Sequence, residues 1–299
     1  MNKIHALITL GCTLLACEPT TQDSEGPEAF SSPEIDARVG ALMSRMSLEQ
    51  KLAQIQGIRP QELMVEGAFS PERCREVIPH GIGHICQFSS SLDLGPNELR
   101  DFVRQVQDYL VHESSTGIPA IFHEEAITGF SAKGATTFPQ QLGMGCSWNP
   151  DQVKKNMQAT ASTMRSAGAT FALSPMLDMA RTAHWGRIEE SYGEDPYLTS
   201  AMGLAFIEGL QGDGLRTGIA ATTKHFAGYG VKEQDDQIFF EELLMPHEVG
   251  IKLGHVKGIM CSYGKYKGLA AAANEELMQD VLREYLEYDG LVISDYGSI

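Results

Sequence analysis

The residues best suited to chemistry stand behind short apolar runs. His123-Glu124-Glu125, Asp178, Lys224-His225, Tyr263 and Asp295 each lie at or just after the end of such a run, and Arg187 lies in the loop that follows another. Carboxylates beside Lys, Arg and His suit cleavage of a glycosidic bond. That reaction needs a carboxylate nucleophile on one side of the anomeric carbon and a carboxylic acid on the other. The cations and remaining carboxylates would fix sugar hydroxyls. Adjacent residues such as Lys224 and His225 point in opposite directions along an extended strand. For both to reach one place, the strand must end or bulge there. Taken alone, a Lys-His pair is a weak signal.

The elements that would position these residues alternate between two periods from about residue 34. The pattern predicts helices over 33–56, with Ser47 and Gln50 spaced as a capping box and Gly57 as the helix stop. Further helices are predicted over 96–113, 149–167, 198–210, 241–253 and 274–286, the first of these with Leu99, Phe102, Val103, Val106 and Leu110 on one stripe. Strands are predicted over 81–86, 118–122, 170–177, 219–226, 258–263 and 291–294. These runs are short and show little polar alternation, as expected of parallel strands buried on both faces. No strand is followed by a GxGxxG or GxxxxGK[ST] loop, so a nucleotide-binding sheet lacks its signature. Polar residues gathered at C-terminal strand ends fit instead the mouth of a (β/α)8 TIM-like barrel. About six strand-helix units are legible, and the chain stops at Ile299, just after Asp295. The expected fold is therefore an incomplete α/β barrel spanning residues 34–299.

The N-terminus reads differently. Met1-Asn2-Lys3 is a short positive region and Ala6 to Leu15 a mostly apolar run, too short to span a bilayer and suited to a signal peptide. Leu14-Leu15-Ala16-Cys17 resembles a bacterial lipobox, whose cysteine bears the lipid; an ordinary secretory signal with a chance cysteine is the other reading. Residues 1–16 are thus expected to be a lipoprotein-type signal peptide and 17–33 a flexible tether. The net charge of -16 argues against binding to nucleic acid or anionic headgroups. Membrane contact is left to a lipid on Cys17, which would place the protein in the periplasm or on the outer-membrane face of a bacterial envelope. Cys74, Cys86, Cys146 and Cys261 show no C-x-x-C spacing, so no zinc site is expected. Cys74 and Cys86 could pair in an exported protein or remain buried thiols.

Several segments, taken in order, sharpen the chemical reading. Ile121-Phe122-His123-Glu124-Glu125, the block Trp185 to Tyr197, Lys224 to Gly230, Met260-Cys261-Ser262-Tyr263 and Val292-Ile293-Ser294-Asp295-Tyr296 resemble glycoside hydrolase family 3, most nearly its β-glucosidase and β-xylosidase branch. The resemblance implies that Asp295 is the nucleophile that forms a covalent glycosyl-enzyme; without it, Asp295 reads as a helix N-cap. It implies that Arg187, Lys224 and His225 hold hydroxyls of the terminal sugar, and that Glu125 stands where many members carry an Asp for the far hydroxyls. The competing readings are an ion pair of Arg187 with Glu189 or Glu190, and a solvated Glu124-Glu125 pair. Tyr263 would sit near the nucleophile and tune it by hydrogen bonding, or be a core tyrosine. Met260 and Tyr296 would line the pocket or simply pack. Lys224 and Arg187 would keep a close carboxylate ionised.

The sequence departs from that branch at Gly264 and Lys267-Gly268, where Asn and Asn-Gly are usual, at Thr128-Gly129 for His-Gly, and in a short Asp235 to Leu243 segment lacking an Arg. The acid/base is the larger gap. In the two-domain branch it comes from a domain beyond the barrel, and in the hexosaminidase branch from a histidine where this chain has Tyr229. The expected activity is an exo-acting, retaining β-glycosidase that removes terminal glucosyl or xylosyl residues from β-linked oligosaccharides or aryl glycosides, with no cofactor. A β-N-acetylhexosaminidase-type member and an inactive sugar-binding remnant are the alternatives, and the 299-residue chain by itself is expected to be inactive.

Overall fold

A computed structural model describes residues 32–231 and 235–299. The lipobox, Cys17 and most of the expected tether lie outside the described residues. Seven parallel strands, hydrogen-bonded in chain order, form one curled sheet. They are β1 (Gly57–Ile58), β2 (His84–Cys86), β3 (Ile121–Glu124), β4 (Phe171–Ala172), β5 (Ala220–Phe226), β6 (Gly258–Cys261) and β7 (Leu291–Ile293). Helices follow the strands on the outer face, including α1 (Pro96–His112), α2 (Pro150–Ser166), α3 (Pro196–Gln211) and α4 (Met245–Lys252). This is the TIM-barrel-like α/β arrangement expected, in a half-barrel.

The strand count rises from six to seven because β1 was hidden. Gly57 is not a helix stop but the first residue of a strand that pairs with His84 and Ile85. Two residues carry no periodicity. Glycine is needed at this position, since a Cβ would lie 2.6 Å from Cys86 Sγ. The helix expected over 33–56 is two helices, Pro33–Met43 and Leu48–Gln54. The capping box itself divides them: Ser47 Oγ accepts from Gln50 N–H at 3.2 Å while Gln50 Oε1 accepts from Ser47 N–H at 2.9 Å. That exchange starts a helix and holds Ser47 extended. The run 241–253 breaks before Pro246, leaving α4 preceded by a wider turn in which Leu244 N–H bonds to Phe239 C=O. The 274–286 helix likewise ends on an i→i+5 bond, Leu286 N–H to Val281 C=O at 2.9 Å. The other helices begin where their caps stand: Asn149 accepts from Gln152 N–H, and Asp195 from Leu198 N–H.

Strand alternation decides which side chains face inward. Phe171, Leu173, Ala220 and Met260 form the interior cluster, with Ile121 and Ile293 packed against it. Their neighbours Phe122, Ala172, Ala221, Ile259 and Val292 join the main core under the helices, with Met157, Phe206 and Leu210. Counting by two from Ile121 gives His123 and Glu125. From Ala220 it gives Thr222 and Lys224, and from Ile293 it gives Asp295. The pattern that packs the interior therefore also aims Glu125, Lys224 and Asp295 at one mouth.

Candidate active site

His225 would break that count, and the strand changes where it must. Pairing of β5 with β6 shifts register between Thr223 and Phe226, and the Lys224–His225 peptide is cis. Both side chains reach the mouth, and both residues are buried, Lys224 2% and His225 1% exposed. Lys224 Nζ donates to Glu125 Oε2 at 2.6 Å. Glu125 is therefore the partner of a buried cation rather than half of a solvated pair. Glu124 points elsewhere: it is fully buried and accepts from Ser89 N–H at 3.0 Å, Ser89 Oγ at 2.7 Å and Ser90 N–H at 2.9 Å. It pins the loop after β2.

His225 stands between two carboxylates. Asp178 Oδ2 accepts from its backbone N–H at 3.0 Å and meets Nδ1 at 2.6 Å. On the far side of the ring, Nε2 lies 3.3 Å from Asp295 Oδ2. Burial opposes charge on His225, but the charge of Asp178, its hydrogen bond and that of Asp295 outweigh it, so the imidazole pKa is raised. Nε2 is also 3.1 Å from Arg187 Nη1. Protonated, His225 donates to Asp295; neutral, it accepts from Arg187.

Arg187 is held by Glu190 in a fork, Nε to Oε1 at 2.7 Å and Nη2 to Oε2 at 2.6 Å. The ion pair set against a sugar-binding role thus exists, and it leaves Nη1 turned toward His225. The guanidinium also lies 5.7 Å from the centre of the Tyr229 ring. Tyr229 packs edge-on against His225 and Trp185, with centroids 5.1 Å and 5.6 Å apart.

Asp295 is 7% exposed. Burial would raise its pKa, yet donation from His225, from Tyr296 N–H (2.8 Å to Oδ1) and from Tyr263 holds the carboxyl below its usual range. Tyr263 is 45% exposed, so it is no core residue; its one hydroxyl hydrogen is shared between Asp295 and the Tyr296 C=O, which lies 2.6 Å away. Tyr296 lies beside the mouth, its residue exposed but its hydroxyl turned inward, 3.0 Å from His123 Nε2. Met260 is buried in the interior cluster below the mouth.

The mouth thus brings together Glu125, Arg187, Lys224, His225, Tyr263, Asp295 and Tyr296. Sequence reasoning gave no role to Asp178 and saw Glu190 only as a competitor of the sugar. Asp178 was visible as a polar residue at a strand end. The signal that would have raised it is its match to an adjacent histidine strand. Among the described residues, each carboxylate at the mouth other than Asp295 is paired with a different cation: Glu125 with Lys224, Asp178 with His225, Glu190 with Arg187. The set can stabilise one ionised carboxylate and orient several hydroxyls, and it contains no unpaired carboxyl to serve as a proton donor. Cys74, Cys86 and Cys261 are buried free thiols and Cys146 is an exposed one.

Residues 47–299 match the model of the glycosyl hydrolase family 3 N-terminal domain. A β-xylosidase of Formosa agariphila is 32% identical over 96% of this chain and 35% of its own length. A periplasmic β-glucosidase of Salmonella typhimurium is 29% identical over 95% of this chain and 36% of its own. Among solved structures, a β-glucosidase from Erythrobacter marinus superposes with a TM-score of 0.79 at 35% identity, covering 86% of this chain and 36% of that one. The chain spans less than half the length of the relatives it matches. With the family model covering most of the sequence and the half-barrel superposing on a β-glucosidase, this chain belongs to glycosyl hydrolase family 3.

Proposed function

We propose that the protein is an exo-acting, retaining β-glycosidase that releases terminal glucosyl or xylosyl residues, with Asp295 as the nucleophile. The observation that carries this reading is the clasp on Asp295: a buried carboxylate kept ionised by His225 and two further donors at the C-terminal end of a barrel strand. Attack by Asp295 on the anomeric carbon forms an ester and expels the aglycone alkoxide, which takes a proton from an acid. Water, giving its proton to the same group now acting as base, then attacks the anomeric carbon; the bond from that carbon to Asp295 breaks, and the sugar leaves as the hemiacetal. Lys224, Glu125 and Arg187 hold hydroxyls of the same ring. The acid/base comes from a region outside the described barrel, since every other mouth carboxyl here is paired. The hexosaminidase alternative is disfavoured at Tyr229, whose ring packs on His225 and carries no imidazole.

A 2-fluoro dinitrophenyl β-glucoside tests the assignment in the full-length protein, because its leaving group needs no acid. Mass spectrometry of the digest should find the sugar on Asp295, and label on another carboxylate refutes it. Localisation rests on the lipobox. Cys17→Ser should release the protein from membranes; a wild-type product that fractionates as soluble and unlipidated rules the anchor out.

A further inference from the structure

A buried histidine, His123, and a half-buried one, His84, lie in the barrel below the mouth, and the sugar-holding set uses neither. His84 on β2 and His123 on β3 face the barrel interior with their Nδ1 atoms 3.3 Å apart. His123 Nε2 lies 3.0 Å from the Tyr296 hydroxyl. Burial, together with His84 and Lys224, pushes the His123 pKa down to about 3, and burial lowers that of His84. Both rings are therefore neutral near pH 7, and they share one proton between the Nδ1 atoms. If His123 supplies it, Nε2 accepts from the Tyr296 hydroxyl. If His84 supplies it, His123 Nε2–H donates to that hydroxyl. Either direction closes the chain.

Tyr296 is the residue through which this chain reaches the chemistry. Its N–H donates to Asp295 Oδ1 at 2.8 Å, and its carbonyl accepts from the Tyr263 hydroxyl at 2.6 Å. With the ring hydroxyl on His123, the residue is fixed at three separate atoms. Release of the ring would let the backbone N–H turn away from the carboxylate, because Tyr296 lies past the last paired residue of β7, Ile293. A histidine pair kept only for packing would not need an outlet toward a mouth residue; an apolar residue in place of His123 would fill the space without burying its ring nitrogens.

We propose that His123 is a positioning residue for the nucleophile: by holding the Tyr296 hydroxyl it fixes the N–H that donates to Asp295, and so sets the carboxylate for attack. His123 touches neither Asp295 nor the expected sugar position. The inference rests on the reading of Asp295 as nucleophile and extends it to a residue outside the sugar-holding set.

The test follows the rate of covalent labelling by the 2-fluoro dinitrophenyl β-glucoside in the full-length protein, across pH. His123→Gln can reach Tyr296 with an amide where Nε2 stood. His123→Asn reaches only His84. His123→Asn and Tyr296→Phe should each slow labelling at saturation about 10-fold, the weight of one hydrogen bond, with little change in the half-saturating concentration. The acidic limb should move to higher pH, because Asp295 loses part of a donor while His225 and Tyr263 still face it. His123→Gln should recover to within about 3-fold of wild type, and the Asn/Phe double variant should be no slower than either single one. Equal loss in Asn and Gln, rates near wild type in Asn, or additive losses in the double variant would each overturn the proposal. Should the Asn variant fail to fold, Gln and Tyr296→Phe carry the comparison. A wild type that is not labelled at Asp295 removes the proposed function and this inference with it; a labelled wild type with indifferent variants removes the inference alone.

Discussion

Asp178→Asn isolates the charge that does most to raise the His225 pKa. The substitution preserves shape, and an amide oxygen at the position of Oδ2 still accepts from the His225 backbone and ring. Asp178 Oδ1 has no partner, so the amide NH2 placed there would be a buried donor without an acceptor. Removing one member of a buried ion pair costs about 3–5 kcal/mol, and the neutral hydrogen bonds that survive return about 1 kcal/mol each. A net loss of about 2–3 kcal/mol is expected where His225 is charged in the wild type. The pH dependence carries the sharper test. In the wild type, burial is outweighed by Asp178 and Asp295, and the folded pKa lies above the ordinary 6.5. The stability this supplies is complete below pH 6.5 and is lost as pH rises through the raised value. In the variant the main raising charge is gone, only the Asp295 hydrogen bond is left to oppose burial and Lys224, and the folded pKa falls, so protonation contributes less stability. The difference in unfolding free energy between wild type and variant should therefore shrink from pH 6 to pH 8, toward about 1 kcal/mol. Urea unfolding of the full-length proteins at several pH values measures it. A difference that stays flat or grows with pH would refute the assignment of His225 as a cation held by Asp178.

Lys224→Ala strands Glu125 and removes a charged donor from the expected sugar site, so kcat/KM for an aryl glycoside should fall by about 1–3 kcal/mol of transition-state binding; an unchanged value places Lys224 outside the site. Tyr263→Phe removes a donor near Asp295 and frees the Tyr296 carbonyl. The nucleophile's pKa should rise, and the acidic limb of the kcat/KM profile should move to higher pH; a limb that stays put or moves down counts against the clasp. Gly83→Ala would set a Cβ 1.9 Å from the Gln54 carbonyl oxygen, which the backbone cannot absorb, and a loss of about 3 kcal/mol or more is expected from the denaturation midpoint.

What could be read from the sequence divides by the range of the interactions involved. Alternation and capping are local, so the strands around Ile121 and Ile219, the stripe of α1 and the Ser47 capping box were all legible. β1 was not: its two residues have no pattern of their own, and only pairing with His84 and Ile85 makes them a strand. The inward count from Ile121 to Glu125 and from Ile293 to Asp295 was available as soon as the strands were placed. The partner of each cation was not. Asp178 and His225 are far apart in sequence, and nothing short of the register between β4 and β5 tells which carboxylate meets which ring. The Arg187–Glu190 fork, by contrast, is local, and it was foreseen as the rival of a sugar contact. The fork uses Nε and Nη2 and leaves Nη1 turned toward His225.

That division of the guanidinium points to a rule for the whole site. Each cation proposed to hold a hydroxyl is itself held by a carboxylate: Lys224 on β5 by Glu125 after β3, Arg187 by Glu190 in its own loop, and His225 by Asp178 after β4. Each pairing fixes its cation in direction before any sugar arrives, and fixed donors are what stabilise charge that develops during a reaction. Pairing also sets Asp295 apart from the other carboxylates. It shares His225 with Asp178 across the two sides of one ring, and His225 lies nearer to Asp178, at 2.6 Å against 3.3 Å. Asp295 therefore keeps the less fully neutralised charge of the two, and its remaining support comes from uncharged donors on Tyr296 and Tyr263. Such a carboxylate is ionised yet incompletely compensated, the condition under which a buried nucleophile has most to gain by forming a bond to carbon.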